Sequence, residues 1–316
     1  MTETALTLLG AVVLDLALGE PRGSLHPVAW MGCWLDRWWG WRPRKGPARQ
    51  FLFGMMAVLL GMALFALPCW LLSRASPPLF WLWSVPLLKV TFALRALLQA
   101  GEEVREALER SDLPEARRRV RWHLVGRETA DLPEPLVVSA TVESLAENIT
   151  DGLTGPLFYF VLLGLPGAWA YRFCNTADSM WGYRTPEKEY LGKFAARADD
   201  VLNWIPARLT ALLLVAGAAL AREDPRGAWH TLWSQHRRTA SPNAGWTMSA
   251  MAGALGVTLE KRGHYWLEGG SGPLDAQTIQ RALRVVRWTM ALVVGTTLLM
   301  TLLLSGLIAA IGSSHW

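Results

Sequence analysis

The chain is short of charge and shorter of cysteine. Asp, Glu, Lys and Arg make up 18% of its 316 residues, against 52% hydrophobic ones. The net charge of +5 calls for no nucleic-acid partner, since basic loops on the cytoplasmic side of a membrane account for it. Three cysteines, Cys33, Cys69 and Cys174, show no CxxC spacing, so neither a zinc site nor a disulfide framework is indicated. No GxxxxGK[ST] loop occurs, which leaves any nucleotide to be held by other means. No basic residue precedes the first apolar run and no small-residue cleavage site follows it. The opening MTETALTLLGAVVLDLALGE therefore reads as a retained span, with Asp15 near its end, rather than a signal peptide.

What is abundant is uninterrupted hydrophobicity. Phe51 to Ser73 gives 23 residues without a charge and Thr289 to Gly312 gives 24, each long enough to cross a bilayer. A third candidate, 78–100, contains Lys89 and Arg95. Arg95 can snorkel to an interface, whereas Lys89 lies deeper and marks either an internal polar site or a pairing with a nearby carboxylate. The expected fold is an all-α, polytopic integral membrane protein, a single membrane-embedded domain with about four full spans near 4–19, 51–73, 78–100 and 289–312. Two further apolar segments, 153–171 and 201–221, are imperfect. The first is interrupted by Gly164-Leu165-Pro166-Gly167, which loosens a helix and removes a backbone bond. Such broken segments survive at membrane depth only inside protein or along a cavity.

Sidedness follows from charge. Basic residues number six between Gly19 and Gln50, one from Arg74 to Pro77, and nine between Arg222 and Trp288. The positive-inside rule puts the first and last groups in the cytoplasm and the short connection outside. The two imperfect segments are then expected to turn back as re-entrant elements. That leaves 20–50, 101–152, 172–200 and 222–288 as cytoplasmic polar regions, with both termini outside.

Those regions carry distinct patterns. Pro27 is placed to start a helix on which Trp30, Trp34, Trp38 and Trp41 form a stripe. The stripe suits an interfacial anchor or a flat platform for a planar ligand. Residues 101–135 read as two solvated helices with a capping box at Asp112 and Glu115 and i,i+4 ion pairs; His123 and Arg127 are candidate ligand contacts there. In VVSATVESLAENITDG, Glu143, Glu147 and Asp151 fall at i, i+4 and i+8 with Asn148 beside them. Three acids on one helical face repel unless a cation or arginines neutralise them. Ser241-Pro242-Asn243 places a capping residue before a small-residue helix whose first N–H groups can hold a phosphate. Val257 to Glu268 reads as a short hairpin, and Asp275 to Arg287 as a basic helix leading into the final span.

The densest stretch is Tyr171 to Arg208. It holds Asn175 and Asp178 three apart, the pair Asp199-Asp200, and Asn203 three beyond it, among several cations. Carboxylates and amides at helical spacing beside arginines suit a site where magnesium shares ligands with substrate phosphates; a solvated, salt-bridged loop is the plain alternative.

Five blocks, HPVAWMG (26–32), ESLAENITDGLTGPLF (143–158), YRFCNTADSMWGYR (171–184), ARADDVLNWIPARLTALLL (196–214) and SPNAGWTMSAMAGALGVTLE (241–260), resemble the CobD/CbiB family of membrane-bound adenosylcobinamide-phosphate synthases. The likeness runs in order from Asp15 to about Gly269. One departure is Ile149, in place of a small polar residue. The resemblance implies an ATP-dependent amide ligation in cobalamin biosynthesis. It would join adenosylcobyric acid, a corrinoid, to (R)-1-aminopropan-2-yl phosphate or aminopropanol and give adenosylcobinamide phosphate. It also implies Mg2+ as cofactor, ATP as co-substrate, and the inner membrane with the active site toward the cytoplasm. Other enzymes of the pathway are candidate partners on that face.

The residue types suit that chemistry. Glu143, Glu147, Asp178, Asp199, Asp200 and His236 are candidate catalytic groups, and Glu147, Asp151, Asp178, Asp199 and Asp200 candidate metal ligands. Arg172, Arg184, Arg208, Arg237 and Arg238 would pair with phosphates and corrin carboxylates. His26, Asn148, Asn175, Asn203, Ser241 and Asn243 complete the substrate-binding set. Rival functions are a membrane prenyltransferase using magnesium diphosphate, a non-enzymatic AmpE-like membrane regulator, and a transporter with broken midplane helices.

Overall fold

The computed structural model describes residues 3–21, 23–124, 129–183 and 185–313; Arg127 and Arg184 lie outside them. In chain order the helices are α1 (Glu3–Leu18), α2 (Pro27–Trp41), α3 (Pro47–Leu72), α4 (Pro77–Lys89), α5 (Leu94–Glu109), α6 (Leu113–His123) and α7 (Glu134–Ile149). A π turn (Thr150–Thr154) leads to α8 (Gly155–Trp181), followed by α9 (Lys193–Leu202), α10 (Trp204–Leu220), α11 (Pro225–Gln235) and α12 (Ala244–Leu255). The strands β1 (Thr258–Lys261) and β2 (Tyr265–Glu268) form an antiparallel hairpin with Leu259 opposite Leu267, and α13 (Ala276–Ser313) closes the chain. This is the all-α membrane architecture expected. Among the described residues, four helical stretches are long and apolar enough to cross a bilayer: Pro47–Leu72, Leu79–Glu109, Glu134–Trp181 and Ala276–Leu307. A fifth appears if α9 and α10 count as one.

The chain divides into two compact units, one made of Met1–Ala93, Gly155–Leu202 and Thr296–Trp316, the other of Leu94–Thr154 and Asn203–Gly295. In the first, α3 shows membrane logic. Its buried side is Gly54, Ala57, Val58 and Gly61, while Leu52, Met56, Leu59, Leu60, Leu64 and Leu67 are exposed. Small residues let neighbouring backbones approach and large apolar ones meet lipid. Pro27 starts α2, as its fixed φ favours. The tryptophan stripe is not a flat platform: Trp34 and Trp38 are inclined by 41°, Trp38 and Trp41 by 63°. Trp34 donates to the Ala57 carbonyl at 3.1 Å and Trp38 packs on Phe53, so the middle of the stripe is consumed by packing against α3.

The apolar stretch 78–100 is not one helix, because α4 ends at Lys89 and α5 begins at Leu94. Within α8 the break falls at Gly164, whose φ of 68° lies where glycine alone is unstrained. The chain reverses there. Tyr159 and Tyr171 stack with ring centroids 5.3 Å apart, whereas twelve residues of straight helix would separate them by about 18 Å. A Cβ on Gly167 would sit 2.6 Å from the Tyr159 carbonyl oxygen, so only glycine lets the two arms close.

In the second unit, Asp112 caps α6 by accepting from the Glu115 N–H at 3.0 Å. The reciprocal half of the expected capping box is missing, since the Glu115 carboxylate instead takes Arg118 and Arg119. Those guanidiniums, with their charges, hold its carboxyl down to about 2. The expected i,i+4 pairing is present in Arg105–Glu109 and Arg119–Glu115.

Candidate functional site

In the first unit the DD pair and the NTAD block come together. Asn175 on α8 donates to Asp199 Oδ1 on α9 at 3.2 Å, and both side chains are buried. Asp178 follows Asn175 by three residues on α8, about one helical turn. Asp178 is fixed by its neighbour: Gly182 N–H donates to the Asp178 carbonyl at 2.6 Å, and a Cβ on Gly182 would collide with Asp178 Oδ1. Asp200 pairs with Arg197 at 3.7 Å. Tyr159, unremarked in the sequence, donates to the Leu202 carbonyl at 3.0 Å and anchors the end of α9.

A second polar group in the same unit runs Asp15, Lys89, Glu20, His26. Lys89 Nζ lies 3.2 Å from Asp15 Oδ1 and 2.8 Å from Glu20 Oε1, and Asp15 and Lys89 are buried. Asp15 sits in the last turn of α1, where the helix dipole opposes a negative charge, so it needs this cation. His26 Nδ1 accepts from the Val28 N–H at 3.1 Å. The ring proton therefore resides on Nε2, which donates to Glu20 Oε2 at 2.6 Å. Both ring nitrogens are engaged, and His26 holds the Glu20 carboxylate in place. Burial would raise the Glu20 carboxyl, but hydrogen bonds and charge from His26 and Lys89 outweigh it and hold the group below its ordinary range. Glu20 and His26 face a cavity of about 320 Å3, lined also by Val90, Phe92 and Arg172.

In the second unit the acidic trio is divided between two elements, Glu143 and Glu147 on α7 and Asp151 in the π turn that follows. Asp151 falls in the π turn, beyond the regular helix that carries Glu143 and Glu147, and it accepts from Asn203 Nδ2 at 3.0 Å. Glu143 is buried, accepting from Ser139 and Tyr265 hydroxyls, each at 2.6 Å. Ser139 Oγ in turn accepts the Glu260 N–H at 2.7 Å. Glu143 thus ties the β-hairpin to α7, a structural duty that its spacing did not disclose. Asn148 turns its amide nitrogen back to the Ser144 carbonyl and hydroxyl. Glu147 lies one turn before Asp151, half-buried.

The arginine and histidine candidates of this unit separate by partner. Arg208 lies over the rings of Trp204 and Trp246, 4.2 and 4.6 Å from their centroids, and donates to Asn243 Oδ1 at 3.3 Å. His236 packs on Trp246 at 4.3 Å; its Nδ1 lies 3.0 Å from the Leu232 carbonyl, so Nδ1 is the donor and Nε2 the acceptor. Arg238 pairs with Glu268 at 3.4 Å, and Arg237 is exposed. At the start of α12, Ser241 Oγ accepts the N–H groups of Asn243 and Ala244 at 3.2 and 3.4 Å. The expected phosphate-ready N–H groups are therefore partly capped by the protein itself. Trp246 Nε1 is buried without a hydrogen-bond partner.

Among the described residues no group of three or more His, Cys, Asp or Glu side chains lies close enough to form a ready-made metal cage. The donors present are carboxylate and amide oxygens in small sets, which suit a hard cation that arrives with phosphate oxygens of its own.

These features define a polytopic helical membrane protein with buried, hydrogen-bonded carboxylates in each of its units. The CobD/Cbib protein family model matches residues 8–286, and the chain belongs to the CobD/CbiB family. The match ends within the basic start of α13. Similar curated proteins include the cobalamin biosynthesis protein CobD of Dehalococcoides mccartyi, 43% identical over 90% of this chain and 93% of its own length. The probable cobalamin biosynthesis protein CobD of Methanothermobacter thermautotrophicus is 42% identical over 92% and 96%, and the CobD of Geobacter metallireducens 37% identical over 96% and 99%. No solved structure matches.

Proposed function

We propose that this chain works in cobalamin biosynthesis as an ATP-dependent ligase. It joins the propionate carboxyl of adenosylcobyric acid to the amine of (R)-1-aminopropan-2-yl phosphate, or of aminopropanol, giving adenosylcobinamide phosphate. The observation that carries this is family membership across residues 8–286. An unactivated carboxylate is a poor electrophile. Its oxygen attacks the γ-phosphorus of ATP, releasing ADP and forming an acyl phosphate. The amine nitrogen then attacks the acyl carbon, the C–N bond forms as the bond to phosphate breaks, and the nitrogen's proton passes to a base.

Asp199 and Asp178, with the Asn175 amide oxygen beside them, are the groups that would hold magnesium, which supplies charge neutralisation on the phosphates. In the second unit, taken by itself, His236 Nε2, left as an acceptor by the bond at Nδ1, has the chemistry of a proton acceptor. Arg208 and Arg237 suit phosphate or corrin carboxylates, which a guanidinium fork matches. Glu143 and Asn148, engaged within their own unit, are assigned to structure. ATP supply requires the Asp178 and Asp199 carboxylates to face the cytoplasm of an inner membrane.

The test is direct. Purified protein is given ATP, magnesium, adenosylcobyric acid and the amine, and the amide is sought by mass alongside ADP. Asp199→Ala is expected to abolish both while inserting normally; ADP release that ignores the corrinoid would sink the proposal.

A further inference from the structure

The cavity in the first unit has walls of opposite charge and no large ligand fits it. Its volume, about 320 Å3, is at the bottom of the range for small-molecule sites and far below what a corrin ring needs. One wall carries Glu20, held between His26 Nε2 and Lys89 Nζ. Another carries Arg172, whose Nε is buried without a hydrogen-bond partner and which makes no ion pair among the described residues. A buried donor left unmade costs about 1–3 kcal/mol, so this is a group waiting for an acceptor. Val28, Ala29, Val90 and Phe92 supply the apolar remainder. Counting formal charges, Asp15 and Lys89 cancel, and Glu20 and Arg172 remain as one anion and one cation across the space.

We propose that this cavity binds a small zwitterion carrying an ammonium and a phosphate monoester. Arg172 takes the phosphate through its guanidinium fork, and the Glu20 carboxylate faces the ammonium. Lys89 and His26 are positioning residues: they hold the carboxylate in one orientation and act on ligand only through it. The apolar lining admits a short carbon chain and little else. Arg172 stands one helical turn before Asn175 on α8, so a ligand held there reaches toward the Asn175–Asp199 pair. This deepens the ligase reading and rests on it: the cavity becomes the seat of the amine donor, and phosphorylated donors are preferred over free amino alcohols.

The experiment measures binding to the full-length protein in lipid nanodiscs by calorimetry, using 1-aminopropan-2-yl phosphate, 1-aminopropan-2-ol and inorganic phosphate. The amine phosphate is expected to bind at least about tenfold more tightly than either fragment. Arg172→Gln should weaken it by about tenfold or more, and Arg172→Lys by less. Glu20→Gln should weaken the amine phosphate and leave inorganic phosphate unchanged. Thermal midpoints of the variants establish that they are folded, and Arg49→Gln, in the separate apolar groove of Trp41 and Phe53, is the unaffected control. Equal binding of inorganic phosphate and amine phosphate, or variants that bind like the parent, overturns the assignment. If the amide forms and its KM for the amine is untouched by Arg172→Gln, the cavity assignment falls and the ligase stands. If the zwitterion binds with the stated pattern but no amide forms, the ligase reading falls and the cavity stands.

Discussion

Replacing Lys89 by methionine removes one cation from between two carboxylates. Lys89 Nζ is 3.2 Å from Asp15 Oδ1 and 2.8 Å from Glu20 Oε1, with the Lys89 side chain 4% exposed and that of Asp15 0%. At an effective dielectric of about 20, each contact is worth roughly 5 kcal/mol of Coulomb energy before desolvation. Loss of one partner from a buried pair costs about 3–5 kcal/mol, because the survivor stays buried and uncompensated. At about 2–4 °C per kcal/mol for a chain this long, the midpoint should drop by about 6–20 °C. The protein supplies its own reporters, since Cys69 and Cys174 are buried thiols and Cys33 an exposed one. In a Cys33→Ser background, a maleimide that fluoresces on reaction reads unfolding of this unit in detergent. Adding Asp15→Asn to Lys89→Met should recover most of the loss, as the buried charge goes with its partner. A single variant within about 2 °C of the parent, or a double variant worse than the single, would refute the account of this cluster.

Three other outcomes follow from named contacts. Gly182→Ala places a methyl against Asp178 Oδ1 and should lower ligation by about 10–100-fold in a protein that still folds; unchanged turnover would remove Asp178 from the chemistry. Tyr265→Phe deletes the bond to Glu143 Oε2 and should cost about 1.5–3 kcal/mol of stability without altering KM for any substrate, a shifted KM arguing instead for a catalytic Glu143. Glu20 and Glu115 both titrate lower when folded, Glu115 at about 2. Their contribution is complete above the ordinary carboxylate pKa of 4.5 and fades as pH falls toward those folded values. Thermal midpoints followed from neutral pH down to about 3 should therefore decline, less steeply in Glu115→Gln.

The membrane class, α2 starting at Pro27, the break at Gly164 and the β-hairpin were all legible in the chain, because each rests on residues adjacent in sequence. The acidic trio was legible only in part. Helical spacing presumes regular helix, and α7 gives way to a π turn at Thr150–Thr154 that holds Asp151. Glu143 and His26 stand out in the sequence by residue type, but their partners Tyr265, Ser139 and Glu20 are visible only in the fold. Glu20 gave no signal at all: an isolated acid after a span is ordinary until Lys89 is seen beside it.

What the sequence settled alone was where the chain is apolar enough to meet lipid and which family it belongs to, since both are carried by runs and blocks of consecutive residues. Only the tertiary structure decided which polar groups are spent on one another and which are left for a ligand. Hydrogen bonds and ion pairs form between side chains that folding brings within about 3 Å, and Asp15 with Lys89, or Asn175 with Asp199, are neighbours in space without being neighbours in the chain.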